Sequence, residues 1–402
     1  MPLGLSHRAE GIAPSITLKI DAKAKEMKQK GIDVIGFGAG EPDYDTPGFI
    51  CDAAREAIAK GMTRYTPVPG ILPLRQAICD KLLKDNGLRY EPADIIVSNG
   101  AKHSLSTIFQ CILNDGDEVI IPTPCWVSYP EMVRISGGKP VFVSAGETDH
   151  FIPSAASLEA AVSGRTKAFI LTSPSNPNGT VWPREQLEYL SELAVRNDFY
   201  VVSDEIYEKF LYDGRKHLSI VSLNEQMKAH TLTVNGVSKS YAMTGWRIGY
   251  TAGPRDVIKA MDHYQSQSAS NANSIAQYAA LAALQGSQDC VEAMRLEFER
   301  RRDDTVTRIN KIPGLSCLKP EGAFYAMLNI QGVLGKVYNG RRIDSSITFA
   351  ETLLNEKQVA LVPGAAFEAE GYCRLSFAVP TAAIHEGLDR IAAFIAAMTD
   401  DA

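Results

Sequence analysis

The chain has 402 residues, of which 45% are hydrophobic and 22% are charged, and its net charge is -6. This is ordinary globular composition, and the length favours two domains. The acidic balance argues against nucleic acid or an anionic membrane as a partner. No apolar run follows a basic N-terminus, and no stretch approaches the roughly 20 apolar residues of a membrane span. We therefore expect neither a signal peptide nor a transmembrane helix.

Cysteine and histidine patterns predict the compartment and the absence of a metal site. The seven cysteines are irregularly spaced, with no C-x-x-C pair: Cys51, Cys79, Cys111, Cys125, Cys290, Cys317 and Cys373. An odd number without a pattern predicts a reduced, cytoplasmic protein with mostly buried thiols. The seven histidines form no metal-like pair, so we expect no metal.

After a predicted helix at 17–30, the middle of the chain alternates β-rich runs with helical patterns. Candidate strands are 94–98, 118–122, 140–144, 167–172, 199–204, 231–236 and 247–253. Most are continuous apolar runs, which is typical of strands buried on both faces of a parallel sheet. Helices are predicted between them at 102–113, 126–137, 183–197 and 254–285. This alternation predicts an α/β domain with a seven-stranded, mostly parallel sheet flanked by helices.

The last third of the chain has a different pattern. A long charged helix after about residue 290 stops at Pro313, and the closing helix begins near 381. Between them lie strand candidates at 322–330, 359–364 and 373–378, with a helix from about 344. We expect a smaller α+β domain that also recruits the N-terminal segment. The predicted bounds are 46–288 for the large domain, with 1–45 and 289–402 forming the small domain.

Polar residues and glycines collect at the predicted strand ends, where ligands of α/β sheets bind. They are Gly100, Ala101, Trp126, Asn176, Asp204, Tyr207, Ser238 and Lys239, with Arg247 before the last strand. Taken separately, each has an ordinary explanation as a turn, a helix cap, a core residue or a solvated lysine.

Taken together, these residues describe one ligand. A helix N-terminus at Gly100 and the cation of Arg247 suit a phosphate. Trp126 can stack on a planar ring, and a carboxylate such as Asp204 can hold a ring nitrogen protonated. Lys239 can form an imine with an aldehyde. The ligand that satisfies all of these is pyridoxal 5'-phosphate (PLP).

The chain resembles the class I, fold-type I PLP-dependent aminotransferases. Within that family it looks most like the bacterial aspartate aminotransferases of the aspartate/prephenate branch. The resemblance covers essentially the whole chain, with motifs in the family's order. They include "GAGEPDYDTP" (38–47), "TRYTPVPGI" (63–71), "CWVSYPEMV" (125–133), "SPSNPNGTV" (173–181), "VSDEIYEKFLYDG" (202–214), "SKSYAMTGWRIGY" (238–250) and "CRLSFA" (373–378).

The resemblance implies a role for each catalytic residue. Lys239 matches the Schiff-base lysine, which also shuttles the proton between substrate and cofactor. Asp204 matches the carboxylate on the pyridine nitrogen. Tyr207 and Asn176 match the donors to the ring oxygen, and Trp126 matches the stacked aromatic residue.

Further residues are implied around the phosphate. Gly100, Ala101 and Lys102 match the helix start beside it, with Arg247 and Ser238 nearby. Tyr65 matches a tyrosine that reaches the phosphate of the neighbouring subunit, so the resemblance also implies a homodimer with shared active sites.

Substrate contacts are implied as well. Arg374 matches the arginine that clamps the α-carboxylate, with the Gly40 backbone beside it, and Trp126 and Asn176 also face the substrate. Lys102, helped by Ser15 and Thr17, matches the group that receives a side-chain carboxylate. The region 264–274 has no arginine that could do so instead. A merely solvated lysine in the first helical turn is the alternative for Lys102.

The expected reaction is transamination of L-aspartate with 2-oxoglutarate, giving oxaloacetate and L-glutamate. It would be ping-pong, through the Lys239 aldimine and the pyridoxamine form. Prephenate is the second candidate keto acid, or an aromatic substrate. Relatives that use prephenate often carry a basic residue where this chain has Ala13.

Two other classes of protein share this domain. A PLP-binding transcription regulator would need a DNA-binding module, and little chain precedes the motif that begins at Gly36. A PLP-dependent C–S β-lyase would share Lys239, Asp204, Tyr207 and Arg374, and sequence separates it poorly.

Overall fold

The computed structural model describes residues 4–6, 10–12 and 16–400. The helices are α1 (Ile16–Gln29), α2 (Gly48–Ala59), α3 (Leu72–Asn86), α4 (Ala101–Ile112), α5 (Ser128–Ile135), α6 (Ala155–Ala161), α7 (Arg184–Asn197), α8 (Met227–His230), α9 (Arg255–Ser268), α10 (Ser274–Gln285), α11 (Asp289–Ile309), α12 (Ser346–Lys357) and α13 (Thr381–Ala396).

The strands are β1 (Ile35–Gly36), β2 (Ile95–Ser98), β3 (Glu118–Thr123), β4 (Lys139–Ser144), β5 (Thr166–Thr172), β6 (Tyr200–Asp204), β7 (Thr231–Gly236), β8 (Gly249–Ala252), β9 (Tyr325–Asn329), β10 (Val337–Tyr338), β11 (Arg341–Arg342), β12 (Val359–Ala360), β13 (Val362–Pro363) and β14 (Tyr372–Ser376).

A seven-stranded sheet forms the centre of the molecule, in the order β2-β8-β7-β6-β5-β3-β4. β8 runs antiparallel to both of its neighbours, and the other pairs are parallel. Every residue of β2, β7 and β8 is buried, as continuous apolar runs predict for strands covered on both faces. The predicted α/β fold with a mostly parallel sheet is confirmed.

The register of three neighbouring strands brings their carboxyl ends together. Thr172, the last residue of β5, pairs with Asp204, the last residue of β6. Asp204 in turn pairs with Val234 of β7, and Lys239 follows β7 by three residues. Polar groups that are far apart in sequence therefore meet at one edge of the sheet.

The prediction of a single helix over 254–285 is wrong. The chain forms α9 and α10 with a break at 269–273. Ser270 in the break has a left-handed backbone with φ of 61°. The Asn273 side chain then accepts a hydrogen bond from the N–H of Ala276 at 2.9 Å and caps the second helix.

Helices α2 and α3 were not predicted. Both pack against α10, and α3 buries Leu74, Ile78 and Leu82. A proline follows Leu72 at the start of α3, which suits a first turn, and Gly87 ends it in the left-handed conformation. α3 also contacts β2 of the central sheet, and α2 lies outside it against α10.

Smaller sheets lie beside the central one. β13, β14 and β9 form an antiparallel sheet, and β1 pairs in parallel with β12. The second pairing joins Ile35 of the N-terminal segment to Val359 of the last third of the chain. The domain bounds at 46 and 288 stay a prediction.

The cysteines are free thiols, and Cys79, Cys125, Cys317 and Cys373 are buried. Burial raises the pKa of the Cys125 thiol to about 12, which makes it unreactive. Within the described part of the chain, no helix is long and apolar enough to cross a membrane.

Candidate active site

A cavity of about 390 Å³ opens at the carboxyl ends of the central strands. It is lined by Gly38, Gly40, Ala101, Lys102, Leu105, Trp126, Val127, Tyr129, Thr172, Asn176, Asp204, Ile206, Tyr207, Ser238, Lys239, Arg247, Tyr325, Phe367 and Arg374. Most of the predicted site residues therefore share one cavity, although they come from widely separated parts of the sequence.

Lys239 carries the amine of the site. Its Nζ donates a hydrogen bond to the carbonyl oxygen of Gly40 at 2.5 Å. The pKa of Lys239 is lowered to about 8, mainly by burial. The carboxylate of Glu41 opposes this shift, whereas the cations of Arg247 and Arg374 lower the pKa further. A neutral amine is therefore accessible near physiological pH, as a nucleophile or a base requires.

Asp204 is a buried carboxylate that faces the cavity. Its Oδ2 accepts a hydrogen bond from the Tyr129 hydroxyl at 2.8 Å, and its Oδ1 accepts one from the N–H of Ile206 at 3.2 Å. Burial raises the pKa of Asp204 to about 6, although both hydrogen bonds lower it. A cationic group in the cavity would stabilise the ionised form.

The start of α4 and Arg247 make an anion-binding corner. Gly100 precedes the helix with φ of 86°, and a Cβ there would lie 2.3 Å from Nη2 of Arg247. Only glycine fits, because both the backbone conformation and the space exclude a side chain. Arg247 is fixed by hydrogen bonds to the carbonyls of Thr244 (2.8 Å) and Asn99 (3.3 Å). Ser238 and Ala101 line the cavity beside it, and the helix N-terminus adds a positive dipole.

Arg374, on β14, provides a second cation. Its Nη1 donates to Oδ1 of Asn176 at 2.9 Å, and its Nη2 donates to the carbonyl of Gly38 at 2.8 Å. The guanidinium lies between the rings of Tyr325 and Phe367, at 4.4 and 4.9 Å from their centroids. Its Nε is buried without a partner. Arg374 is thus rigidly held and retains capacity to donate to a ligand carboxylate.

Tyr207 and Lys102 complete the predicted lining. The Tyr207 hydroxyl hydrogen-bonds to that of Tyr325 at 2.9 Å, and burial raises the pKa of Tyr207 well above its usual range. The Nζ of Lys102 lies 4.7 Å from the Trp126 ring centroid, in a cation–π contact. Partial burial, and then Arg247, lower the pKa of Lys102. The helix predicted at 126–137 begins only at Ser128, so Trp126 lies in the loop before it.

Four predicted residues are not placed in the cavity lining: Gly100, Tyr65, Ser15 and Thr17. Gly100 borders the cavity only through its contact with Arg247. Tyr65 is 91% exposed and does not line it, so its role towards a partner subunit stays a prediction. Ser15 lies outside the described residues, as does Ala13. Thr17 lies in α1, but its side chain is outside the described set.

Sequence reasoning missed Tyr129, Thr172, Tyr325 and Phe367. Tyr129 had a usable signal, because it lies three residues after Trp126 in the matched motif "CWVSYPEMV". Tyr325 and Phe367 stand among ordinary apolar and small residues, so only the fold reveals that they enclose Arg374.

Glu205, Glu208 and His217 form a buried cluster whose ligand-type atoms lie within 4.8 Å of one another. All of the carboxylate oxygens already accept hydrogen bonds, from Ser203, Ser219, His217, Lys81, Asn86 and Asn235. The Lys81 ammonium occupies the place that a cation would take. The expected absence of a metal stays a prediction.

The residues of the cavity fit pyridoxal 5'-phosphate. The anion-binding corner at Gly100 and Arg247, which only a glycine leaves open, suits the phosphate of the cofactor. The buried carboxylate of Asp204 suits a protonated ring nitrogen, which would supply a cation beside it. The Lys239 amine suits the aldehyde of the cofactor. The fold and this cavity define an α/β enzyme of the kind that binds such a cofactor, and Arg374 keeps a free donor for a ligand carboxylate.

Comparisons with known proteins identify the family. Residues 32–391 match the family described as aminotransferase class I and II. The aspartate aminotransferase of Geobacillus stearothermophilus is 49% identical over 98% of this chain and 99% of its own. The aspartate/prephenate aminotransferase of Cereibacter sphaeroides is 46% identical over 98% of this chain and 99% of its own. The crystal structure of the aspartate aminotransferase from Rhizobium meliloti has 44% identity and a TM-score of 0.96, covering 99% of this chain and 100% of that one.

The chain belongs to the aminotransferase class I and II family. It is an aminotransferase of fold type I whose cofactor is pyridoxal 5'-phosphate. The predicted family, fold, enzyme class and cofactor are confirmed.

Proposed function

We propose that this aminotransferase transfers the amino group of L-aspartate to 2-oxoglutarate, giving oxaloacetate and L-glutamate. The observation that carries the proposal is that Lys102 and Arg374 line the same cavity. Two cations suit the two carboxylates of an acidic amino acid, whereas a monocarboxylate would leave one of them unused. The names of the relatives at 46–49% identity support the same substrate.

Each side chain has a task in the proposed reaction. Bound pyridoxal phosphate supplies an electron-withdrawing ring that makes the substrate Cα–H acidic. Asp204 pairs with the ring nitrogen and keeps its positive charge. Lys239 would take the proton from the substrate Cα and deliver it to the cofactor carbon that carried the aldehyde, because its buried amine is neutral in a useful fraction near pH 8. Arg374 orients the α-carboxylate, and Lys102 receives the side-chain carboxylate.

Prephenate is the second candidate keto acid. It is also a dicarboxylate, and relatives at 46% identity are named for both substrates. Ala13, the position that bears on this choice, lies outside the described residues. A C–S β-lyase is the third candidate, because it would use the same Lys239, Asp204 and Arg374.

We also propose a cytoplasmic homodimer with shared active sites. Tyr65, 91% exposed in the single chain, belongs to a stretch with other exposed apolar residues: Ile58, Met62 and Leu72. Such a surface suits burial against a second copy. Sedimentation of the wild type and of Tyr65→Ala tests the proposed homodimer. A wild-type protein that is monomeric and still catalyses the reaction would contradict active sites shared between subunits.

A donor screen tests the proposed reaction. The PLP-loaded protein is assayed with each amino donor against 2-oxoglutarate, and with glutamate against oxaloacetate and prephenate as acceptors. A C–S substrate such as cystathionine is included, with Lys239→Ala as the inactive control. We expect the highest kcat/KM for aspartate. Preference for aromatic donors would overturn the aspartate assignment, and pyruvate with ammonia from the C–S substrate would favour the lyase.

A further inference from the structure

Tyr129 lines the cavity and also packs in the hydrophobic core against strands of the central sheet. It is in the first turn of α5 and is 2% exposed. Its hydroxyl is 2.8 Å from Oδ2 of Asp204 and 2.7 Å from Oγ1 of Thr172. The Trp126 ring packs edge-on against the phenol, with centroids 5.2 Å apart and an interplanar angle of 84°. These contacts fix the hydroxyl within hydrogen-bond distance of the carboxylate.

The hydrogen bonds that join Thr172, Tyr129 and Asp204 have a defined direction. An ionised carboxylate only accepts hydrogen bonds, so the single proton of the Tyr129 hydroxyl points to Asp204. The Tyr129 oxygen must then accept from Thr172, whose hydroxyl is free to rotate. The parallel register places Thr172 opposite Asp204 on the neighbouring strand. Thr172 therefore donates to Tyr129, and Tyr129 donates to Asp204.

The other groups around Asp204 do not replace this hydrogen bond. Among the residues that the structure describes, Oδ1 accepts only the backbone N–H of Ile206, at the longer distance of 3.2 Å. The charge of the neighbouring Glu205 raises the pKa of Asp204 and so disfavours its ionised form. Lys239 lowers this pKa, but its effect is smaller than that of Glu205. Lys239 is also the amine that the cofactor aldehyde would consume. Tyr129 is thus the side-chain donor that remains on Asp204 once the cofactor is bound.

We propose that Tyr129, aligned by Thr172, is a positioning residue that keeps Asp204 ionised and oriented towards the ring nitrogen of the bound cofactor. Removing the hydroxyl would leave Oδ2 without its charge-assisted hydrogen bond in a buried place, which favours the neutral carboxyl. A neutral carboxyl no longer stabilises a protonated ring. The inference depends on the cofactor of the family and not on which amino acid is the substrate.

The test uses PLP-loaded protein without any amino acid, so its failure is separate from failure of the aspartate proposal. In Tyr129→Phe, we expect the dissociation constant of PLP to rise about tenfold or more, as loss of a charge-assisted hydrogen bond implies. With cofactor labelled with ¹⁵N in the ring, the chemical shift should move towards that of neutral pyridine. Tyr212→Phe is the control, because it removes an equally buried hydroxyl, bonded to the carbonyl of Ala323, that does not line the cavity.

A second pair of variants separates alignment from packing. Thr172→Val removes the donor to Tyr129, whereas Thr172→Ser keeps it. We expect the valine variant to shift the ¹⁵N resonance in the same direction as Tyr129→Phe, by less, and the serine variant to match the wild type. This pair decides the matter if Tyr129→Phe does not fold. A wild-type ¹⁵N shift in Tyr129→Phe, or equal shifts in both Thr172 variants, would overturn the proposal.

Discussion

Arg374 and Asn176 are 198 positions apart in sequence, yet Nη1 of the arginine donates a hydrogen bond to Oδ1 of the asparagine at 2.9 Å. The bond links β14 of the small antiparallel sheet to the loop that follows β5 of the central sheet. Asn176 is also expected to face the ring oxygen of the cofactor. The proposed substrate carboxylate site and the expected cofactor contact would therefore be joined by one side-chain contact, and a change at either residue should affect the other.

Arg374→Ala should raise KM for every amino acid that the enzyme accepts, because all share the α-carboxylate. Loss of a charge-assisted contact of about 1.5–3 kcal/mol corresponds to about 10- to 150-fold. Arg374→Lys should recover only part of this, since an ammonium lacks the planar fork that contacts both Asn176 and Gly38. Steady-state kinetics of the Arg374 variants with aspartate and with alanine measure the change in KM. Arg184→Ala, at an exposed arginine, is the control, and an unchanged KM in Arg374→Ala would contradict the role.

Lys102→Ala should lower kcat/KM for aspartate and glutamate by about 10- to 150-fold, for the same physical reason, and leave alanine nearly unaffected. Lys102→Arg should retain much of the preference, because it keeps a cation able to lie over the Trp126 ring. The measurement is the ratio of kcat/KM for aspartate to that for alanine. Equal losses for both substrates would remove Lys102 from side-chain recognition.

The pH dependence of cofactor uptake should report Lys239. Only the neutral amine attacks an aldehyde, so its fraction, and the uptake rate of PLP by cofactor-free protein, rise with pH. Because the pKa of Lys239 is lowered to about 8 from 10.5, the rate should reach half of its maximum near pH 8 and level off above about pH 9. Stopped-flow absorbance measures this, with Lys239→Ala as the control that forms no covalent adduct. A rate still climbing at pH 10 would show that burial does not lower this pKa.

The buried cluster behind the site should contribute to stability. Burial alone would raise the pKa of Glu208, but Lys81, His217 and Lys209 lower it to about 2. The folded-state pKa lies below the ordinary value of 4.5, so this stabilisation is complete above about pH 4.5 and is lost as pH falls towards 2. Glu208→Gln should therefore lose stability at neutral pH and approach the wild type in acid.

Urea unfolding at neutral pH measures the size of this effect. Lys81→Met should cost about 3–5 kcal/mol, because it leaves the Glu208 charge buried without its partner. Glu188→Gln is the matched control: its pair with Arg184 is exposed and should be worth less than about 1 kcal/mol. A Lys81→Met cost no larger than that of Glu188→Gln would show that the cluster does not stabilise the fold.

The central sheet could be predicted because its strands are continuous apolar runs, a pattern that depends on burial at both faces. All of its seven strands occur where expected. The helix boundaries were less accurate. The break at Ser270 has a left-handed backbone conformation. The Ser- and Asn-rich stretch 266–274 carried a loop signal that the helix prediction did not use. Neither α2 nor α3 has a side-chain cap, although the first-turn proline and the terminal Gly87 of α3 were usable signals.

The site was predictable where chemistry requires unusual residues. Lys239, Arg247 and Arg374 are charged residues inside otherwise apolar or small-residue stretches, so they stand out, and Asp204 ends an apolar strand. Tyr129 and Phe367 did not, because a tyrosine or phenylalanine in a buried segment is ordinary core. Their significance arises only from tertiary contact, Tyr129 with Asp204 and Phe367 with the guanidinium of Arg374.

The central claim is most directly tested by a half-reaction. PLP-loaded protein is mixed with L-aspartate in the absence of any keto acid, and absorbance and oxaloacetate are followed together. We predict loss of the yellow colour with one oxaloacetate released per active site, and return of the colour with formation of glutamate when 2-oxoglutarate is added. An unchanged spectrum with no oxaloacetate would contradict the assignment of this chain as an aspartate aminotransferase.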